Sequence, residues 1–315
     1  MGLISCYSEL SIQVSERTKT SCSNYKSVTN SVSPNLIPSI QTAVTNLYKT
    51  TLSTRTQHSI TVTWCRKAAT QGLQINSGDD PTTAFRLNTN SRLFRKKKGN
   101  KAFYINNIKF EVFYDLSAAV YGAGAEPVEG YYVLIMVESE LGLFIGDMSD
   151  EAMVKKVKGD NNNFKENVKF NLVSRREHFY GNTLYSTKAK FSEGGRFHDV
   201  LIQCTGENDG VKNPGLVVCI DKRVVIRVKR LQWNFRGNQT IFVDGLSVDL
   251  MWDVHNWFFN SGHENGSGHG SCNAVFMFRT RNGVDSRLWL LEDNNKMKMK
   301  DEKNEFSLLI YATKS

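Results

Sequence analysis

An all-β fold made of two tandem repeats is the architecture this sequence predicts, and three observations predict it. The stretch GNKAFYINNIKFEVFYDL, from Gly99 to Leu116, is echoed by GNQTIFVDGLSVDLMWDV, from Gly237 to Val254, 138 residues further on. Both copies alternate apolar and polar residues, the period of a strand with one buried face. Other matches flank the two copies in the same order, a concordance that chance does not supply.

The hairpins come first. Ala102 to Ile105 and Ile108 to Phe113 are β-branched and aromatic runs separated by Asn106-Asn107. In the second copy, Thr240 to Val243 and Leu246 to Met251 flank Asp244-Gly245. Residues of the Asn/Asp/Gly type tolerate positive φ and so make two-residue turns whose twist suits the flanking strands. After each turn, Ile108, Phe110 and Val112 alternate with Lys109 and Glu111, and Leu246, Val248 and Leu250 alternate with Ser247 and Asp249. The alternation then breaks at Phe113-Tyr114 and at Met251-Trp252, where both faces need cover. Each strand closes on an acid, Asp115 or Asp253, placed for an Asx-type bond to the next backbone amides.

Upstream, Leu47-Tyr48 is echoed by Leu184-Tyr185, His58-Ser-Ile-Thr-Val by His198-Asp-Val-Leu-Ile, Gly72-Leu73 by Gly215-Leu216, and Phe85-Arg86-Leu87 by Ile226-Arg227-Val228. Downstream, Tyr132 to Asp147 is echoed by Ala274 to Asp293. The fold class is therefore two duplicated antiparallel β-sandwich or barrel repeats, over 40–148 and 178–294, packed together. Residues 1–39, rich in Ser, Thr and Asn, bury too little apolar surface to offset their ordering entropy and are expected to be a disordered tail. Residues 149–177 form a linker with one short helix, capped by Ser149, with acids at its positive end and Lys155, Lys156 and Lys158 at its negative end. Residues 295–315 hold a Lys-rich segment and a final strand.

Composition excludes several classes. Hydrophobic content of 40% and aromatic content of 11% are those of a folded globular chain. No apolar run approaches the roughly 20 residues of a membrane-crossing helix. The start, MGLISCYSEL, lacks the features of a secretory signal, so the chain is expected in the cytoplasm, with the nucleus also open to it and peripheral membrane attachment less favoured. The six cysteines have no paired spacing and read as free thiols. A formal charge of +9 points to anionic partners and says nothing of fold.

The basic residues gather in two strips. Arg92, Arg95, Lys96, Lys97, Lys98 and Lys101 precede the first hairpin; Arg227, Lys229, Arg230 and Arg236 precede the second. Such a strip can hold phosphates or headgroups, or serve import at Arg95–Lys98, but Lys and Arg on exposed strands also keep sheet edges apart. Phe94, Trp233 and Phe235 interleave with these charges as a stacking platform for single strands would, though aromatics at strand spacing in a β protein are usually core. Phe306 and Leu309, preceded by acids, fit an aromatic-x-x-aliphatic peptide that adds as a strand to ubiquitin-like partners; the competing reading is a packed last strand. His263, His269 and Cys272 lie in a Gly/Ser loop without a fourth ligand at metal spacing. No serine elbow, phosphate loop, dinucleotide fingerprint or zinc-protease motif is present, and no catalytic residue, metal or cofactor is assigned.

The segments VTWC (Val62 to Cys65), KGNKAF (Lys98 to Phe103), FYDL (Phe113 to Leu116), LQWNFRGNQTIFVDG (Leu231 to Gly245) and WDVHNWFF (Trp252 to Phe259) resemble a plant family known as domain of unknown function 868. The resemblance covers residues 40–310. It implies a plant protein and carries over no activity or catalytic residue. The expectation is a non-enzymatic β-rich interaction or regulatory module with protein partners, working through its basic strips. Alternatives are a binder of a small apolar or anionic ligand in a barrel cavity, an adaptor working through short peptides, and a binder of nucleic acid or anionic lipid.

Overall fold

A computed structural model describes residues 12–14, 38–67, 70–77, 85–88, 97–147, 169–181, 184–205, 214–259, 273–281 and 305–314. They hold twenty strands and one short helix. β1 (Ile12–Val14) comes before a first group: β2 (Ile40–Thr51), β3 (Gln57–Lys67), β4 (Thr70–Ser77), β5 (Phe85–Asn88), β6 (Lys98–Ile105), β7 (Ile108–Asp115), β8 (Val120–Tyr121), β9 (Pro127–Glu129), β10 (Tyr132–Val137) and β11 (Glu140–Gly146). The second group is β12 (Lys169–Tyr180), β13 (Leu184–Ala189), β14 (His198–Thr205), β15 (Gly215–Ile220), β16 (Arg223–Lys229), β17 (Arg236–Val243), β18 (Leu246–Asp253), α1 (His255–Phe259), β19 (Asn273–Thr280) and β20 (Ser307–Thr313). The fold is thus mostly β.

The chain divides into two compact units. The first lies within 40–178 and 291–309. It holds one run of neighbours in the order β2-β3-β4-β5, with β12 beside β2, and a second in the order β11-β10-β7-β6. Inward side chains of both sheets meet in one core: Val44, Trp64 and Leu73 from the first, Phe110, Val112 and Ile135 from the second. On the other side of the β7–β10–β11 sheet, Phe113 packs with Leu134, Met136 and Leu141, which is why β10 is apolar throughout.

The other unit lies within 1–39, 179–290 and 310–315. Its sheets run β1-β16-β15-β14-β13 and β17-β18-β19-β20. Tyr185 of β13 packs its ring against Phe276 of β19 at 6.1 Å and Trp257 of α1 at 6.2 Å, joining both sheets in one core.

The hairpin turns are those the sequence suggests. Asn106 (φ 50) and Asn107 (φ 64), and Asp244 (φ 48) and Gly245 (φ 81), occupy the left-handed region that such two-residue turns require. The pairing that follows is the same in both hairpins, from Lys98↔Asp115 to Ile105↔Ile108 and from Arg236↔Asp253 to Val243↔Leu246. β7 and β18 accordingly bury the same alternate positions: Phe110, Val112 and Tyr114, and Val248, Leu250 and Trp252. Asp115 accepts a bond from the Ser117 amide at 3.1 Å and Asp253 one from the His255 amide at 2.9 Å, the Asx-type closures expected of them.

The linker reading of 149–177 needs correction at its end, because β12 starts at Lys169. Its buried positions include Ser174 and Glu177, so the apolar alternation that marks a strand is missing. The helix expected at 149–158 lies outside the described residues, as do the tail at 1–11 and 15–37 and the loop with His263, His269 and Cys272. Cys204 is buried, and Cys219 is disulfide-bonded, against the expectation of free thiols throughout; spacing along a chain carries no signal for a pairing that the fold brings about. Among the described residues no helix is long and apolar enough to cross a membrane.

A glycine faces a buried aromatic ring in both hairpins, Gly99 opposite Tyr114 and Gly237 opposite Trp252. A methyl group on Gly237 would fall 2.2 Å from the Trp252 ring, whereas one on Gly99 would stand 3.3 Å from the Tyr114 hydroxyl. The Trp252 ring is packed on all sides and held by a bond from its Nε1 to the Asn234 carbonyl at 2.9 Å, so it has nowhere to go. Gly237→Ala is expected to lower stability by about 1–3 kcal/mol through overpacking, and Gly99→Ala by clearly less. Thermal unfolding of the two variants side by side checks this, and equal losses would refute it.

Candidate functional site

The described members of the first basic strip are exposed: Lys97, Lys98 and Lys101. Lys98 pairs with Asp115 at 3.0 Å, and Lys101 stands over the Phe85 ring at 5.9 Å. Arg92, Arg95 and Lys96 lie outside the described residues, as does Phe94.

The second strip assembles into a concave site. β14, β15 and β16 pair in register through Gln203↔Val217 and Val217↔Arg227, with Gly215 opposite Lys229. One residue along, Ile202, Val218 and Ile226 point into the core. The period of two therefore sends Gln203, Val217, Arg227 and Lys229 to the outer face. There they line a hollow of about 440 Å³, with Pro214 and Arg230 also in its lining. Its described lining has three cationic side chains and no carboxylate. Arg236, the fourth residue of this strip, is elsewhere engaged: it pairs with Asp253 at 2.8 Å and stands over the Phe235 ring at 5.7 Å.

The turn after β16 completes this region. Arg230 takes a left-handed conformation (φ 51) and its carbonyl accepts bonds from the Trp233 amide at 2.9 Å and the Asn234 amide at 3.2 Å. The Leu231 amide donates to the Pro214 carbonyl at 2.9 Å. Leu231 is buried, but the Trp233 side chain is 78% exposed. The core reading of the interleaved aromatics thus fails for Trp233, because it falls in a turn rather than on the inner face of a strand. Phe235 is half-buried.

Phe306 and Leu309 do not form a free peptide. Phe306 and Leu308 are buried, Ser307 to Thr313 is strand β20, and the Ser307 hydroxyl donates to the Ser174 hydroxyl at 3.0 Å. Strand addition needs exposed backbone, so the adaptor reading through this motif falls.

Two polar clusters carry strong electrostatics. In the second unit, buried His198 has Nδ1 2.8 Å from Asp221 and Nε2 3.2 Å from Asp244, and Arg196 reaches the same two carboxylates at 3.2 Å and 3.0 Å. Asp221 and Asp244 sit in the turns β15–β16 and β17–β18, so His198 fastens two hairpin tips together. Arg196 holds the Asp244 carboxyl below its ordinary range; at Asp221, burial works the other way, and the bonds from His198 and the Asp199 amide together with the Arg196 charge outweigh it. The expected counterpart, His58, instead meets the Thr56 hydroxyl at 3.3 Å and the edge of Phe110. Among the described residues no group of three or more His, Cys, Asp or Glu side chains is gathered to hold a metal.

The other cluster was not visible in the sequence. In the first unit, Arg175 of β12 lies between Glu126, at 2.8 Å, and fully buried Glu177, at 2.5 Å. Arg175 also donates to the Asn46 side chain at 3.2 Å, and Gln41 donates to Glu177 at 2.7 Å. Tyr48 and Tyr131 border the cluster; burial, reinforced by Glu126, raises both phenols far above their ordinary range, and that of Arg175 is raised by its two carboxylates against the effect of burial.

Arg175→Ala leaves Glu177 buried without its cation and is expected to cost about 3–5 kcal/mol in urea unfolding. Tyr48 adds a pH dependence. Its folded-state pKa lies above the ordinary value of 10.0, so its contribution is whole below pH 10 and fades as the pH rises above that. Between pH 8 and pH 11 the urea midpoint of Tyr48→Phe is expected to fall less than that of the unaltered chain; parallel curves would refute this.

Comparison with curated proteins and with solved structures returns no match. The resemblance carried by LQWNFRGNQT and WDVHNW extends across nearly the whole folded chain: residues 39–314 match the plant protein family of unknown function DUF868, and the chain belongs to that family.

Proposed function

We propose that this chain is a non-enzymatic plant interaction module that takes a polyanionic partner on the outer face of β14–β16. The observation that carries this reading is the hollow lined by Arg227, Lys229 and Arg230 with no carboxylate among its described lining residues. Guanidinium groups suit this role: each offers a planar fork of donors to a phosphate or carboxylate and stays charged at every physiological pH. In the strip before the first hairpin, the charge of Lys98 is offset by Asp115 and Lys101 lies over the Phe85 ring. A ligand held within either core is disfavoured by its filling, with Phe110 in the first unit and Trp252 and Trp257 in the other.

On the same reading the two strand groups are copies of one ancestral sandwich. The matching orders β2-β3-β4-β5 and β13-β14-β15-β16, and β11-β10-β7-β6 and β20-β19-β18-β17, support it, as does the common register of the two long hairpins. Duplication frees one copy to change its outer face while the other keeps the older surface.

The test is retention of the full chain on immobilised inorganic polyphosphate in rising salt. Binding is expected to fall steeply with salt as counterions are displaced. Arg227→Gln/Arg230→Gln should elute at markedly lower salt, and Lys98→Gln/Lys101→Gln should elute with the unaltered chain. Coincident elution of all three would refute the assignment of the site.

A further inference from the structure

The exposed indole beside the hollow names the partner more closely. Trp233 stands on a turn fixed from several sides. Its own amide is bonded to the Arg230 carbonyl, the Asn234 side chain donates to the Lys229 carbonyl at 2.9 Å, Trp252 Nε1 donates to the Asn234 carbonyl, and Leu231 is anchored in the core with its amide on Pro214. The same turn starts at Arg230, and both Arg230 and Pro214 line the hollow. An aromatic side chain is thus carried, 78% exposed, on a fixed turn three residues from Arg230 of the cationic lining.

We infer that the hollow and Trp233 together bind a single-stranded nucleic acid, with phosphates on Arg227, Lys229 and Arg230 and an unpaired base stacked on the Trp233 ring. This rests on the proposed polyanion site and deepens it. Arg227 and Lys229 are alternate residues of one strand, so their side chains leave the sheet on the same face about 6.7 Å apart, a span that one extended sugar-phosphate unit covers. Cations alone would serve an acidic peptide equally well, but such a partner has no use for an exposed indole on a fixed turn. A duplex has phosphates, yet its bases are stacked inside and present no face to the ring. Stacking tolerates any base, so binding is expected to be indifferent to sequence.

The experiment uses the full chain and a fluorescein-labelled oligouridylate of about 12 nucleotides, within the usual range of such sites, followed by anisotropy. Trp233→Ala is expected to weaken binding roughly tenfold, the lower part of what one stacked base contributes, and Trp233→Phe to restore most of it. Polyphosphate binding should be the same for all three proteins. Arg227→Gln/Arg230→Gln should weaken both ligands and reduce the salt slope for the oligonucleotide by about 1.4, the value for two phosphates on a single strand. An oligouridylate affinity that does not change in Trp233→Ala overturns the inference, as does equal affinity for a duplex of the same length. If polyglutamate binds as tightly as the oligonucleotide and Trp233→Ala alters neither, the partner is an acidic protein: the inference falls and the polyanion site stands. If no polyanion binds, both fall together.

Discussion

The first unit is organised around one enclosed guanidinium. Arg175 holds Glu126 and Glu177, and through them a loop and two strands: Gln41 of β2 bonds Glu177 and the Ala125 amide, Asn46 of β2 bonds Arg175 and Glu126, and Arg66 of β3 takes the Gly122 and Gly124 carbonyls. A buried ion pair of this kind adds little net stability over apolar residues of the same volume, because both ions lose their hydration. Its effect is one of selection. Val, Ile and Leu along a strand can exchange partners with small losses, but a carboxylate at 0% exposure cannot be moved away from its cation. A slip of one residue between β12 and β2 would carry every side chain to the opposite face and strand that charge.

The long hairpins follow a different logic, set by local geometry alone. Two turn residues with positive φ fix which residues pair, and pairing fixes which face each side chain takes. Everything downstream in β7 and β18 is then determined, including the pairs Lys98–Asp115 and Arg236–Asp253 that close the open ends. These exposed ion pairs are worth little individually. Their consistent placement reflects the register, and does not create it. The same is true of the glycines opposite Tyr114 and Trp252: a ring laid across the neighbouring strand leaves no room for a side chain at Gly237 and little at Gly99.

Those two logics explain how much could be read from the sequence. Asn106-Asn107, Asp244-Gly245 and the alternation after each are local signals, so turns, faces and Asx closures were legible residue by residue. β12 was not, because Ser174 and Glu177 take buried positions in it, and a buried charge is indistinguishable in sequence from a solvated one. The Arg175 cluster was hidden for the same reason; its members come from Gln41 to Glu177, and nothing local links them. Trp233 was misjudged because strand spacing and turn spacing coincide over three residues. Asp221 and Asp244 were legible as turn residues, but their shared hold on His198 depends on hairpins brought together by the sheet.

The candidate site has a similar origin in strand geometry. The inner face of β14–β16 is committed to Ile202, Val218 and Ile226, and the core fixes their positions. The outer face inherits that precision without contributing to the core, so Arg227 and Lys229 are held at a set spacing by residues that never touch a ligand. A flexible cationic tail would attract the same anions but would lose side-chain and backbone entropy on binding. A strand has lost the backbone part of that entropy on folding, and the turn that carries Trp233 has lost it too, through the bonds to Arg230, Lys229 and Pro214. The backbone cost of ordering the segments that carry cations and ring therefore falls on the fold rather than on the complex.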